Sequence, residues 1–298
     1  MNNKIFKKTF LLSLVILWCC SVAAQQLPGH SQPLRVFMQP NDYKGSSIQY
    51  GNNPQAGHYV QADDARIYYE VYGAGDPVVV LHGGGVGCTY EMGQFIDSLS
   101  ISYQVIAIST RGHGRSEMGT KPISYEQRAN DVYAVMQDFI PGKRAIILGF
   151  SDGAYTAYKL ASMFPDRVKK LIAIGAGENV PALRKIVPVK VEDMKRTDPL
   201  FMATQMSLMP EPERLQSYWD DFYDFYNKLE VSKEVFNSIK CPVLLIAGEL
   251  DTHAPLTTVV VAYQMIPNCR LAIIANASHV AFVENFPAVW ANILPFLN

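Results

Sequence analysis

From residue 57 onward the chain alternates two kinds of apolar pattern. Apolar runs at Val78–Leu81, Val105–Ile108, Ala145–Phe150, Pro242–Ala247 and Leu271–Ala275, and Val168–Ile174 with Lys169 and Lys170 near its start, predict buried strands. Helices are predicted between and after them, at Thr89–Leu99 and Gly153–Phe164 among others. Ser124 starts a further helix, and Gln127 three residues on completes a capping box. The apolar face of that helix is Ala129, Val132, Val135, Met136 and Phe139. Ahead of these units, His58–Gln61 and Ile67–Tyr72 flank the turn Ala62-Asp63-Asp64-Ala65 and predict an antiparallel hairpin. Alternating β and α units with apolar strands imply an α/β domain, a mostly parallel sheet covered by helices on both faces.

The regularity stops from Glu178 to Asn237. Leu215, Tyr218, Trp219, Phe222, Phe225, Tyr226 and Leu229 recur there at helical spacing, with Asp220, Asp221, Asp224 and Lys228 on the other face. A helical cap over residues 178–237 is expected, inserted into a core of residues 57–177 and 238–298. The aromatic stripe reads first as packing, and the acidic face as a solvated one. Residues 25–56, rich in Pro, Gly, Gln, Asn and Ser, are expected to form an irregular, weakly ordered extension.

Charge and composition remove several classes. Of 298 residues, 49% are hydrophobic and only 18% charged, which excludes a disordered chain. The net charge of -1 lacks the basic excess of a nucleic-acid binder. No apolar run reaches the length of a membrane span. Lys4, Lys7 and Lys8, the apolar run Phe10–Trp18 and the small residues Val22-Ala23-Ala24 read as a secretory signal peptide over residues 1–24. Its removal predicts a periplasmic or secreted protein without stable membrane insertion. A lipid anchor at Cys19 or Cys20 is disfavoured, because Leu17-Trp18 lacks the small residue such a site needs. Three cysteines then remain: Cys88, Cys241 and Cys269. A Cys241–Cys269 disulfide is open if their strands are neighbours, with buried free thiols as the ordinary alternative.

The chemistry concentrates at Gly149-Phe150-Ser151-Asp152-Gly153, a G-x-S-x-G between a predicted strand and a predicted helix. That context is the one a nucleophile elbow requires. The alternative is a glycine turn with an ordinary serine. His82-Gly83-Gly84-Gly85 follows another strand, and side-chain-free residues there leave backbone N–H groups available. The N–H groups of Gly84 and Asp152 are the expected oxyanion hole. A phosphate loop is a poor reading of these glycines, since no Gly-Lys-Ser/Thr follows. A nucleophilic serine needs a base and an orienting acid. Of the histidines, His279 alone follows a late apolar strand in a loop. Asp251 is the favoured acid, over Glu249 and Glu178, and His253 is the decoy. The chain order Ser151, Asp251, His279 is the one such a sheet arrangement demands.

Over roughly residues 57–298 the chain resembles the α/β-hydrolases. His82-Gly83-Gly84, Arg111-Gly112-His113-Gly114-Arg115-Ser116, the elbow, Gly248-Glu249-Leu250-Asp251 and Ser278-His279 carry the resemblance. The Ser-Asp-Gly elbow is similar to that of valacyclovir-hydrolase-like small esterases. The His-Gly-Gly-Gly start also resembles carbon–carbon bond hydrolases and proline iminopeptidases. Ser109 departs from the family, which commonly has an aspartate before Arg-Gly-x-Gly. A serine at position 151, rather than the aspartate of epoxide and haloalkane cleavers, implies acyl transfer. The expectation is a serine hydrolase of small carboxylic esters, or of related thioesters and amides. Carbon–carbon cleavage or aminopeptidase action is the alternative, and a non-catalytic ligand-binding scaffold the alternative of another class. A small-molecule substrate is implied, and no cofactor or metal.

Overall fold

The computed structural model of the chain describes residues 33–298, apart from Asn41, Asp42, Lys44, Ala182 and Arg184. The expected signal peptide, with Cys19 and Cys20, lies outside the described residues.

The hairpin comes first, β1 (Gly57–Ala62) and β2 (Ala65–Tyr72). β3 (Asp76–Leu81) follows and leads through a 3-10 turn, Thr89–Met92, into α1 (Gly93–Leu99). The single helix expected over Thr89–Leu99 is therefore two pieces. Next come β4 (Tyr103–Ile108), α2 (Tyr125–Phe139), β5 (Ala145–Phe150), α3 (Asp152–Met163) and β6 (Val168–Ile174). Among the described residues four α-helices separate β6 from the next strand: α4 (Val191–Thr197), α5 (Pro199–Leu208), α6 (Leu215–Lys228) and α7 (Lys233–Ser238). The chain closes with β7 (Val243–Gly248), α8 (Leu256–Met265), β8 (Cys269–Ile274), α9 (Ala281–Glu284) and α10 (Phe286–Leu297).

The sheet order is β1-β2-β4-β3-β5-β6-β7-β8. β1 pairs antiparallel with β2, and β2 with β4; every later pairing is parallel. The period-two alternation of a strand sends neighbouring residues to opposite faces. Val79 and Leu81 accordingly join an apolar cluster with α2, α3 and α8, while Val78 and Val80 join a second one with α1 and α10. Apolar strands with no polar alternation are thus explained by burial on both faces.

Ser124 caps α2, accepting the Gln127 N–H at 3.1 Å. The Gln127 side chain does not return the bond; both its polar atoms are buried and lack a partner among the described residues, so half of the capping box forms. Cys241 and Cys269, on adjacent strand ends, are both free thiols, as is Cys88. Among the described residues ahead of β1 there is no helix or strand, yet Leu34, Val36 and Tyr50 are buried. Composition reports the missing period, and these single side chains supply the anchoring.

Candidate active site

The site lies at the carboxyl ends of the parallel strands, where open α/β sheets place their ligands. β5 ends at Phe150, and the backbone turns abruptly into α3 through Ser151, at φ 49° and ψ -114°. A non-glycine residue there costs on the order of 1–3 kcal/mol and must be held by its surroundings. The Ser151 N–H donates to the Ile174 carbonyl at 2.8 Å, and its carbonyl accepts from Ala154 and Tyr155. Both flanking glycines are sterically required. A Cβ on Gly149 would stand 2.4 Å from the Gly153 carbonyl oxygen, and one on Gly153 would stand 2.5 Å from that of His82. The packed turn leaves half-buried Ser151 as the least buried residue of the elbow.

Two loops at the far end of the sheet bring the other residues to it. The loop after β7 and the loop after β8 are joined by backbone bonds, Leu250 N–H to Ala277 O at 2.8 Å and Glu249 N–H to Ile274 O at 3.0 Å. They place His279 Nε2 2.9 Å from Ser151 Oγ, and His279 Nδ1 2.8 Å from Asp251 Oδ2. Asp251 Oδ1 accepts the N–H groups of His253 (2.7 Å) and Ala254 (2.8 Å). Burial alone would raise the Asp251 carboxyl, but the His279 ring and these two donors outweigh it and hold it below the usual carboxylate range. An ionised Asp251 fixes the proton on His279 Nδ1, which donates to it. Nε2 is then free to accept from the Ser151 hydroxyl.

The glycine loop after β3 is tied down from three sides. Thr110 N–H donates to His82 Nε2 at 3.0 Å, so His82 carries its proton on Nδ1 and donates to the Gly83 carbonyl at 2.7 Å. Burial, with His113 beside it, pushes the His82 ring down to about 3, in keeping with that neutral form. Gly83 N–H donates to Glu91 Oε1 at 2.7 Å, and Gly84 O accepts from Gly87 at 2.9 Å. A Cβ on Gly84 would lie 3.0 Å from the Asp152 Cβ, so the two expected oxyanion donors belong to touching segments. As the first residue of α3, Asp152 has an N–H without an acceptor inside the helix.

The Asp152 side chain does more than favour a helix start. It is buried, its Oδ2 2.5 Å from Arg128 Nη1 and its Oδ1 accepting from Tyr125 at 2.8 Å. Arg128 Nη2 in turn donates to the Tyr218 hydroxyl of α6 at 2.9 Å, and that hydroxyl donates to the Arg111 carbonyl at 2.8 Å. Sequence reasoning finds Tyr218 only as part of the aromatic stripe and does not find Arg128. The available signal was an arginine beside Ala129 on the apolar face of α2.

The rejected candidates have other partners. Glu249 accepts from Asn276 N–H, Glu178 from the Ser232 hydroxyl, and His58 stacks on Tyr69. His253 stacks on the His279 ring at 4.8 Å and lines the same cavity. Asp251, His253 and His279 are also a group of the described residues whose ligand atoms lie within 4.8 Å of one another. Asp251 and His279 are already bonded to each other and to Ser151 and the backbone, so this donor set fits a proton relay better than a metal.

A cavity of about 750 Å³ opens beside Ser151. Trp219, Phe222, Tyr223 and Tyr226 of α6 line it. Their stripe therefore serves both packing and the site.

The family model described as alpha/beta hydrolase fold matches residues 76–207. Over 257 residues, 79% of this chain and 96% of the other, the sequence is 27% identical to a protein of Azorhizobium caulinodans provisionally named a carbamate hydrolase. It is 26% identical to a proline iminopeptidase of Pestalotiopsis fici, covering 76% of this chain and 94% of that one. A solved meta-cleavage product hydrolase from Pseudomonas fluorescens superposes with a TM-score of 0.69 at 21% identity, covering 83% of this chain and 99% of the other. The architecture, the matched model and these relatives agree that the chain has the alpha/beta hydrolase fold.

Proposed function

We propose that the protein is a serine hydrolase that cleaves small carboxylic esters, and related thioester or amide bonds, through an acyl-enzyme. The observation that carries this reading is the continuous relay Ser151 Oγ, His279 Nε2, His279 Nδ1, Asp251 Oδ2, with contacts of 2.9 and 2.8 Å. In this reading Ser151 Oγ attacks the substrate carbonyl carbon, and its proton passes to His279 Nε2. Asp251 stabilises the resulting imidazolium and keeps the ring oriented. The carbonyl oxygen, now negative, is held by the N–H groups of Gly84 and Asp152. Collapse expels the alcohol, which takes the proton from His279. Water, deprotonated by the same nitrogen, then attacks the acyl carbon and releases the acid and Ser151.

Ester cleavage is preferred to the carbon–carbon and aminopeptidase alternatives because simple acyl transfer needs only this relay and two donors. The relatives' names span several leaving groups. A non-catalytic scaffold has no need of all three relay members at bonding distance. The test is a panel of p-nitrophenyl esters, aminoacyl arylamides and dienoate diketones, with labelling by a fluorophosphonate. Ester turnover and labelling are expected, and Ser151→Ala should lower kcat by several orders of magnitude. An unlabelled Ser151, or a Ser151→Ala enzyme near the parent rate, overturns the reading. Export is part of the proposal, supported by Lys4, Lys7, Lys8 and the apolar run Phe10–Trp18. A mature N-terminus at residue 25 is expected from Edman sequencing; an intact Met1 in exported fractions argues against it.

A further inference from the structure

The cavity beside Ser151 has a wall that comes from neither the strands nor the helices. Val36, Phe37, Met38 and Gln39, from the irregular stretch ahead of β1, line it together with Met194 and Trp219. This stretch is fastened to the helices between β6 and β7 by Asp198, itself only 5% exposed. Asp198 Oδ1 caps α5 by accepting the Phe201 N–H at 3.1 Å. The same carboxylate accepts the Met38 N–H at 3.0 Å through Oδ2 and lies 3.3 Å from Arg35 Nη1. The Phe37 ring meets that of Phe201 edge-on, centroids 5.2 Å apart, while Leu34 and Val36 are buried. Met38 adopts φ 56°, and the Asp198 bond to its N–H falls on that turn.

The carboxylates facing the same space are engaged. Asp152 is paired with Arg128. Glu91 accepts from Gly83, and burial pushes its carboxyl up to about 8, so it is largely uncharged at neutral pH. What the wall of residues 36–39, Met194 and Trp219 offers a ligand is chiefly apolar surface. Desolvating an anion against it would find no compensating cation among the described lining residues.

We propose that residues 36–39 are the specificity-determining wall of this cavity, latched by Asp198, and that they select substrates carrying an extended, uncharged apolar group. This rests on the cavity beside Ser151 being the substrate site, as proposed above. Phe37 and Met38 touch the ligand; Asp198 is a positioning residue. The wall deepens the ester reading by naming the group the enzyme prefers.

The test is calorimetric titration of the full-length Ser151→Ala protein with decan-2-one, hexan-2-one and decanoate, so that binding is read without chemistry. Decan-2-one should bind at least about ten-fold more tightly than either other ligand, because its added methylenes leave water and its head carries no charge. Phe37→Ala should bring the decan-2-one to hexan-2-one ratio down several-fold. Met38→Gly, at a side chain 65% exposed and a φ that suits glycine, keeps the fold and should lower the same ratio. An unchanged ratio in both variants, decanoate binding as tightly as the ketone, or no ketone binding at all overturns the proposal. Ketone discrimination that depends on Phe37, in a protein whose parent cleaves no ester, would sink the ester reading and leave the wall standing. Ester turnover with an unchanged ratio in both variants would do the reverse.

Discussion

Ser151 stands between two buried aspartates with unlike surroundings. On one side Asp251 is paired with His279, whose side chain is 18% exposed and borders the cavity. On the other, Asp152 is paired with Arg128, both side chains almost wholly buried, and closed off by Tyr125 and Tyr218. The first pair can pass a proton, because His279 Nε2 lies 2.9 Å from the Ser151 hydroxyl. The second cannot, because a guanidinium does not deprotonate in this range, and Asp152 raises that of Arg128 further despite its burial. In the proposed mechanism one carboxylate thus serves the chemistry and the other rigidity.

The comparison breaks most readily at Asp251. Asp251→Asn should lower kcat on p-nitrophenyl butyrate on the order of a thousand-fold or more, since an amide no longer holds the ring in the needed tautomer. Thermal unfolding of the variant should move little. A loss below ten-fold would place Asp251 among the merely structural groups.

On the other side the expected loss is in stability. Arg128→Met leaves Asp152 buried without its cation, a loss of about 3–5 kcal/mol in urea unfolding. Adding Asp152→Asn should recover much of it, because the uncompensated charge is then gone. A double variant as unstable as the single one would mean that lost packing, not charge, sets the effect.

A subtler contrast lies at Glu91. Its folded-state carboxyl, raised to about 8 by burial, binds a proton more tightly than the unfolded one. That contribution to stability is present at low pH, below the ordinary carboxylate value, and is lost as pH rises through about 8. Glu91→Gln has no such loss. The difference in melting temperature should therefore grow in favour of glutamine between about pH 5 and pH 9. A difference that stays flat with pH would show that the carboxyl titrates normally.

Much of this arrangement is legible along the chain, for definite reasons. β5 and β6 run over the predicted residues, because β5 and the Leu171–Ile174 end of β6 are apolar and buried. The elbow is legible because Gly149 and Gly153 are both sterically demanded at fixed offsets from Ser151. Asp251 and His279 follow from their places after late strands. The Arg128–Asp152 pair was not legible, since the partners lie on different helices and nothing periodic joins them. The wall at residues 36–39 was hidden for a related reason. Its anchors, Asp198 and Phe201, are contributed by helices far along the sequence. Composition alone made that stretch look loose.

The seam between β6 and β7 has a consequence for how the enzyme ages under heat. Ser151 is carried by β5, whose ladder with β6 runs from Ala145 to Phe150, while Asp251 and His279 hang from β7 and β8, whose ladder runs from Val243 to Gly248. The junction joining these two blocks is shorter, Leu171–Ile174 against Val243–Ile246. Loosening there would part the hydroxyl from the imidazole while the imidazole and its carboxylate travel together as a single body. Partial inactivation on warming should therefore be reversible on cooling, as long as the two halves have not separated further.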